Sequence, residues 1–155
     1  MRILPLSILL LLIITLLTGC LPINQTPGLR QGGSLEPTPS SFEFVSEHAT
    51  ITLRAQGSIL PRVVTIWGVG FPSALYVWGD PASGWTQRVA ERPDVRVRIG
   101  DDAFELRAQK VSDPTELQSV VTAYAEKYGT DLDAIFGRPA TVEDFKLVYR
   151  LTAKE

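Results

Sequence analysis

The residues best suited to chemistry surround one loop in the middle of the chain. The apolar run Ala74–Trp78 is typical of a strand, and the turn residues Gly79–Gly84 end it. Trp85–Arg92 then has the spacing of a short helix, which Pro93 stops. A strand, a loop and a helix start in this order can hold a phosphate-bearing ligand, although the pattern alone does not prove that one is bound.

Other catalytic or metal chemistry has little support. His48 is the only histidine, so a metal cluster or a Ser–His pair within one chain would have to be built around it. We expect His48 to be structural or on the surface, and no metal is predicted. Arg96, Arg98 and Arg107 could form a basic stripe, but a solvated face paired with Glu105 explains them better.

Period-two alternation predicts a mostly β protein with six strands and two or so helices. The predicted strands are Ala49–Ala55, Arg62–Trp67, Ala74–Trp78, Val95–Ile99, Phe104–Ala108 and Phe145–Leu151. Gly100–Asp102 turns one strand into the next, and Phe42–Val45 is either a first strand or the last ordered piece of a linker. Because a sheet of this size has edges to hide, we expect a small antiparallel barrel.

The longer helix has the clearest local signals. Asp113 is suited to cap it, Pro114 to the first position, and Glu116 to the third residue after the cap. Apolar residues follow at helical spacing until Gly129, which we predict to end the helix. A short helical turn over residues 131–136 should then end at Gly137.

The N-terminus resembles a bacterial lipoprotein signal. Arg2 precedes the apolar run Ile3–Leu17, which is short for a spanning helix and right for a signal peptide. Leu17–Cys20 resembles the lipobox, which implies a signal peptide over residues 1–19 and lipidation of Cys20. The resemblance implies a cell-envelope location, in the outer membrane facing the periplasm if the host is diderm.

The predicted mature chain has one domain behind a linker. Residues 20–41 are rich in proline, glycine and serine, which predicts a flexible tether, and residues 42–155 form the domain. Without residues 1–19 the chain keeps 14 basic and 17 acidic residues, a charge near −3. That balance gives no case for nucleic acid, so the membrane is expected to be reached through the acyl chains.

Residues 49–129 resemble the flavin-binding split barrel, in particular the deazaflavin-dependent nitroreductases and, further off, the pyridoxamine phosphate oxidases. The resemblance rests on Pro61-Arg62, the Gly/Pro/Ser loop before Trp85, and the stretches Pro93–Gly100 and Phe104–Ala108. It implies a six-stranded split β-barrel that holds FMN or a deazaflavin cofactor. Many split barrels build their site between two subunits, so a homodimer is one implied arrangement.

The resemblance also implies which residues hold the cofactor. The first hairpin would contribute Ser58 and Arg62, and the loop with its helix start would contribute Ser83, Gly84 and Trp85. Backbone N–H groups at a helix start attract phosphate, and a nearby arginine can pair with it in bidentate fashion. Core packing is the commoner fate of tryptophan on strands, but Trp85 lies where a flavin ring could stack on it.

Two functions remain open from the sequence. The first is a lipid-anchored, nitroreductase-like oxidoreductase that uses a flavin-type cofactor, with no catalytic acid or base identifiable. The second is a cofactor-free binding or structural envelope lipoprotein. The stretch Ala55–Ile59 favours the second, because it lacks the basic residues that the deazaflavin enzymes carry in the first turn.

Overall fold

The computed structural model describes residues 31–154. The predicted signal peptide, the lipobox and the lipidation site at Cys20 lie outside these residues and stay predictions. Within the described range, no helix combines the length and the apolar character needed to cross a bilayer.

The described residues form eight strands and two α-helices. The strands are β1 Ser34–Leu35, β2 Ile51–Ala55, β3 Arg62–Ile66, β4 Gly68–Gly70, β5 Leu75–Trp78, β6 Asp94–Ile99, β7 Asp102–Lys110 and β8 Val148–Ala153. The helices are α1 Gly84–Glu91 and α2 Pro114–Phe136, with 3₁₀ helices at Glu43–Glu47 and Val142–Asp144. All six predicted strands are present, and β1 and β4 are short additions.

The strands form one curled sheet in the order β3-β2-β6-β7-β8-β5-β4, and every neighbouring pair in this path is antiparallel. The two outermost strands, β3 and β4, are joined in the chain by Trp67 alone. The chain therefore passes directly from one edge of the curled sheet to the other, while β3 and β4 themselves are not paired among the described strands. The expected fold, a mostly β antiparallel split barrel with two helices, is confirmed.

The register places the inward side chains in layers. Leu53 is paired with Val64 on one side and Val97 on the other, and Val97 is paired with Phe104. All four side chains are at most 4 % exposed, so they form one layer of the barrel interior. Each buried aliphatic side chain of this kind contributes about 1.5–3 kcal/mol, which makes the barrel interior the main source of stability.

A second core lies between the sheet and α2. Tyr124 is fully buried there, and its hydroxyl donates to the carbonyl of Trp67 (3.1 Å) and accepts from the backbone N–H of Trp78 (3.1 Å). Tyr128 stacks on Trp67 with ring centroids 4.7 Å apart. Lys127 donates to the carbonyls of Val45 and Gly68, at 2.6 and 2.9 Å. These bonds fix the helix across the junction between β3 and β4.

The helix start and the final end at Gly137 are as predicted, and the predicted break near Gly129 is present as a kink. The Asp113 carboxylate accepts from the backbone N–H of Glu116 at 2.8 Å, with Pro114 at the first position. A kink at Tyr128 (φ −124°, ψ 17°) divides the helix beside Gly129, and the second part ends at Gly137 in the left-handed conformation. The chain stays helical on both sides of the kink because Tyr128 and Leu132 are both buried, and their packing on the sheet holds both parts in place.

Two other segments differ from their predicted structure. The last strand begins at Val148 because a 3₁₀ helix at Val142–Asp144 precedes it, so Phe145 joins the second core while Tyr149 lies in the barrel core. The stretch Phe42–Val45 is the start of a 3₁₀ helix, not a strand. Its side chains Phe42 and Val45 are nevertheless buried, so it belongs to the domain.

The described end of the predicted tether lies against the sheet. The Gln31 side chain donates to the carbonyls of Thr52 (2.6 Å) and Arg96 (3.1 Å), and β1 pairs in parallel with β7. Arg96 in turn donates to the Gly33 carbonyl at 3.1 Å. The composition of this segment does not predict these contacts, because they are hydrogen bonds to backbone carbonyls and do not require buried apolar side chains.

Four tyrosines have a raised pKa, and in each case burial is the first cause. Burial and the hydrogen bond to Glu116 raise the pKa of Tyr76 to about 12. Burial raises the pKa of Tyr124, Tyr128 and Tyr149 above the usual value near 10. Ionisation of these hydroxyls therefore favours the unfolded chain.

We accordingly expect an alkaline loss of stability. Below pH 10 the tyrosines are neutral in both states, and above it only the unfolded chain releases its protons, so the free energy of unfolding should fall. Burial lowers the pKa of Lys127 to about 8, which has the opposite effect up to its usual value of 10.5. The check is urea unfolding between pH 10.5 and 12, where Tyr124→Phe should show a shallower decline than the native chain. Equal slopes would contradict the assignment.

Candidate functional site

The start of α1 is shaped by its own loop. The Asp80 carboxylate accepts from the backbone N–H of Ala82 at 2.7 Å, so this side chain is hydrogen-bonded within the loop. Ser83 precedes the helix but makes no side-chain cap, since its hydroxyl lies 2.9 Å from the hydroxyl of Thr86. The N–H groups at the helix start are thus not capped by Ser83, which keeps them suited to an anion.

Arg62 lies over this helix start. It is the first residue of β3 and pairs with Ala55 of β2, whose side chain points into the barrel. A Cβ atom placed on Gly84 would lie 3.3 Å from Nη1 of Arg62. A side chain at position 84 would therefore press on the guanidinium, and glycine leaves the helix start accessible to it.

A cavity of about 250 Å³ opens at this place. The residues that line it are Gly57, Ser58, Arg62, Gly84, Gln87, Arg88, Glu91 and Arg92. Three predicted site residues, Ser58, Arg62 and Gly84, are thus brought together from two separate parts of the chain. Ser83 and Trp85 are not among the lining residues.

The cavity has two arginines that the sequence analysis missed. Nη1 of Arg88 donates to the carbonyl of Leu60 at 2.9 Å, which ties α1 to the turn between β2 and β3. Arg92 lies 3.7 Å from the carboxylate of Glu91, and both side chains are well exposed. Arg88 shares one face of α1 with Gly84, but its contact with the Leu60 carbonyl leaves no periodic signal in the sequence.

Trp85 lies in the barrel core instead of at the cavity. It is 5 % exposed, and its ring centroid is 6.3 Å from that of Tyr149. A Cβ atom on Gly79 would lie 2.3 Å from Trp85, so the indole packs directly on the backbone of the preceding loop. Its side chain offers no open face to a flavin ring, and only its backbone N–H remains at the helix start.

Electrostatics favour an anion at this cavity. Three arginines line it against one glutamate, and the positive end of the α1 dipole points toward Arg62. Bidentate pairing with a phosphate is the chemistry that guanidinium groups support best. The arrangement can therefore bind and orient a phosphate group.

The other candidate sites are weaker. A cavity of about 720 Å³ is lined by residues of β6, β7 and β8, but its charged groups pair with one another: Arg107 and Lys154 lie 3.0 and 3.9 Å from Asp94. Glu105 pairs with Lys154 at 2.6 Å rather than with the arginines of the hairpin, which corrects the predicted pairing. Within residues 31–154 no group of three or more potential metal ligands occurs.

The comparisons with known proteins identify the fold. No family model matches the chain, and no curated protein does. HutZ, the heme storage protein from Vibrio cholerae, aligns with a TM-score of 0.58 and 19 % identity over 73 % of this chain and 87 % of its own. A FAD-binding protein from Mesorhizobium loti aligns with a TM-score of 0.52 and 16 % identity over 72 % and 85 %.

An F420-H2 dependent reductase is also similar in structure. It aligns with a TM-score of 0.54 and 13 % identity over 77 % of this chain and 99 % of its own. At these identities the likeness extends to the split-barrel fold, and the ligand of this chain must be argued from its own residues.

Proposed function

We propose that this chain is a lipid-anchored envelope protein whose split barrel binds a phosphate-bearing flavin-type cofactor, FMN or a deazaflavin. The observation that carries the proposal is the position of the Arg62 guanidinium over the uncapped start of α1, at a cavity lined by three arginines. Structural neighbours described as a FAD-binding protein and an F420-H2 dependent reductase support the choice of cofactor class. The lipid anchor is supported by the Leu17–Cys20 motif.

The residues present fit the phosphate end of such a cofactor. Arg62 would pair with two phosphate oxygens, the N–H groups of Gly84 and Trp85 would donate to a third, and Ser58 supplies a hydroxyl. The cavity of about 250 Å³ is smaller than the ~300–1,000 Å³ usual for whole ligands. The flavin ring would therefore extend beyond it, and a second copy of the chain in a homodimer could cover the ring.

The bound cofactor would supply hydride transfer to a small oxidised substrate, and the protein would supply binding and orientation. Nitroreductase-like activity is our more specific proposal for the reaction. No side chain around the cavity is assigned as a catalytic residue.

A cofactor-free binding or structural module is the second candidate. It is favoured by the burial of Trp85 and by the bond between Arg88 and the Leu60 carbonyl, which engages the Arg88 guanidinium within the fold itself. Export also favours it, because a signal with only Arg2 before its apolar run is not a twin-arginine signal. The cofactor would then have to be acquired outside the cytoplasm.

The test is a titration of the unlipidated mature chain, carrying Cys20→Ser, with FMN, the deazaflavin F420 and riboflavin. We expect the two phosphate-bearing cofactors to bind, and Arg62→Ala to weaken FMN binding roughly 10- to 100-fold, because a charged hydrogen-bonded pair contributes about 1.5–3 kcal/mol. Riboflavin has no phosphate, so its affinity should be the same for both proteins. Quenching of tryptophan fluorescence reports the binding.

Arg107→Ala is the matched control, since it removes an exposed arginine that is paired with Asp94 away from the cavity. Its FMN affinity should equal that of the native chain. Binding that survives Arg62→Ala unchanged would place the phosphate elsewhere. Failure of all three compounds to bind would favour the cofactor-free module.

A further inference from the structure

The turn between β2 and β3 presents two neighbouring apolar side chains to solvent. Ile59 is 89 % exposed and Leu60 is 50 % exposed. Among the described residues the other large exposed hydrophobics, Leu35 and Ile135, each lie apart from this turn. Single exposed apolar residues are ordinary, but two side by side at the tip of a hairpin suggest that another surface covers them.

The tip is held in place, and the cavity at its base is lined by three arginines and one glutamate. Arg88 donates to the Leu60 carbonyl, so α1 fixes the turn with its apolar side chains outward. Arg62 follows the tip at the start of β3, and Arg92 lies on the same cavity wall as Arg88. An apolar point with arginines at its base is the pattern of a protein surface that contacts a membrane interface.

We propose that the Ile59–Leu60 tip docks onto a bilayer that contains anionic phospholipid. Ile59 and Leu60 would enter the boundary between headgroups and acyl chains, and the half-exposed Arg92 would lie among the phosphates. An arginine near an anionic surface and apolar side chains at the acyl boundary both strengthen binding to a membrane. The complementarity of both kinds of contact selects a lipid surface over an apolar protein partner.

The length of the chain before the structure fits this partner. Only ten residues, 21–30, separate the predicted lipidated Cys20 from Gln31, the first described residue. A fully extended chain spans at most about 3.3–3.6 Å per residue, so Gln31 would stay within roughly 40 Å of the bilayer. In this respect alone the inference rests on the proposed lipid anchor, which would make docking an intramolecular step.

The test uses the full lipidated chain in vesicles, with a fluorescent probe on a new cysteine. Cys20 is the only native cysteine, so in the acylated protein Ile59→Cys carries the only reactive thiol. In vesicles with phosphatidylglycerol, a nitrobenzoxadiazole probe at position 59 should shift its emission to the blue. Its quenching by iodide should fall about twofold or more relative to phosphatidylcholine vesicles. Arg92→Gln should shift the ratio of docked to undocked protein about fivefold toward undocked, since about 1 kcal/mol is lost.

Ile135→Cys is the matched control, because Ile135 is an exposed isoleucine (58 %) on α2, away from the tip. Its probe should remain accessible to iodide in both kinds of vesicle. Equal quenching at the two positions would overturn the docking proposal, as would a shift at position 59 that needs high protein concentration and no lipid, which would indicate a second copy of the chain. Failure of the anchor itself is distinguishable, because the protein would then not float with the vesicles and Cys20 would react with the probe.

Discussion

Replacement of Trp85 by alanine is expected to lower the free energy of unfolding by about 3–5 kcal/mol, the usual cost of removing a buried tryptophan or phenylalanine. The indole is 5 % exposed, lies against Tyr149 and packs on the backbone of Gly79. Because α1 is only eight residues long, it depends on this side chain and on Val89 for its attachment to the barrel. Urea unfolding followed by far-ultraviolet circular dichroism measures the loss.

The same variant separates the two roles considered for Trp85. Ile135→Ala is the control for an exposed apolar side chain, and its free energy of unfolding should stay within about 0.5 kcal/mol of the native value. If Trp85→Ala left stability unchanged and weakened FMN binding, the ring would be a cofactor contact and its burial in the barrel would be incorrect. A loss of stability without a change in the intrinsic FMN affinity of the folded fraction is the expected outcome.

The strands could be predicted because their side chains obey one simple rule. Val95, Val97 and Ile99 alternate with polar residues, and all three are buried on the inner face of β6. The last strand was predicted three residues too early because Phe145 and Leu147 continue the alternation seen at Tyr149 and Leu151. The alternation did not show that Phe145 belongs to the second core, where it packs with residues of α2.

The candidate site was predicted only in part, because one of its residues depends on a contact between distant parts of the chain. The resemblance assigned Ser58, Arg62 and Gly84 to one site, and these three residues line one cavity. Arg88 could not be assigned in this way, because its role depends on a contact with the Leu60 carbonyl, 28 residues away in the chain. Contacts of a side chain with a distant backbone carbonyl leave no periodic trace in the sequence.

The close approach of the 3₁₀ segment to β4 was equally invisible, and it leads to the second large effect. Replacement of Gly70 by alanine is expected to destabilise the fold by about 2–5 kcal/mol, because a Cβ atom there would lie 1.7 Å from the carbonyl oxygen of Phe42. That atom belongs to backbone and cannot rotate away. To admit the methyl group, the segment that buries Phe42 and Val45 would have to leave the core.

Gly129→Ala is the matched substitution with the opposite sign. No atom outside its own helix lies within 4 Å of a Cβ at this position, and Gly129 has a negative φ, so alanine should stabilise α2 by about 0.5–1 kcal/mol. Urea unfolding of the two variants and of the native chain therefore compares how one added methyl group changes the free energy of unfolding at the two positions. Loss of stability in both would mean that glycine is needed at the Tyr128 kink. Tolerance of alanine at position 70 would mean that the Phe42 carbonyl does not contact β4, and that the 3₁₀ segment is not part of the core.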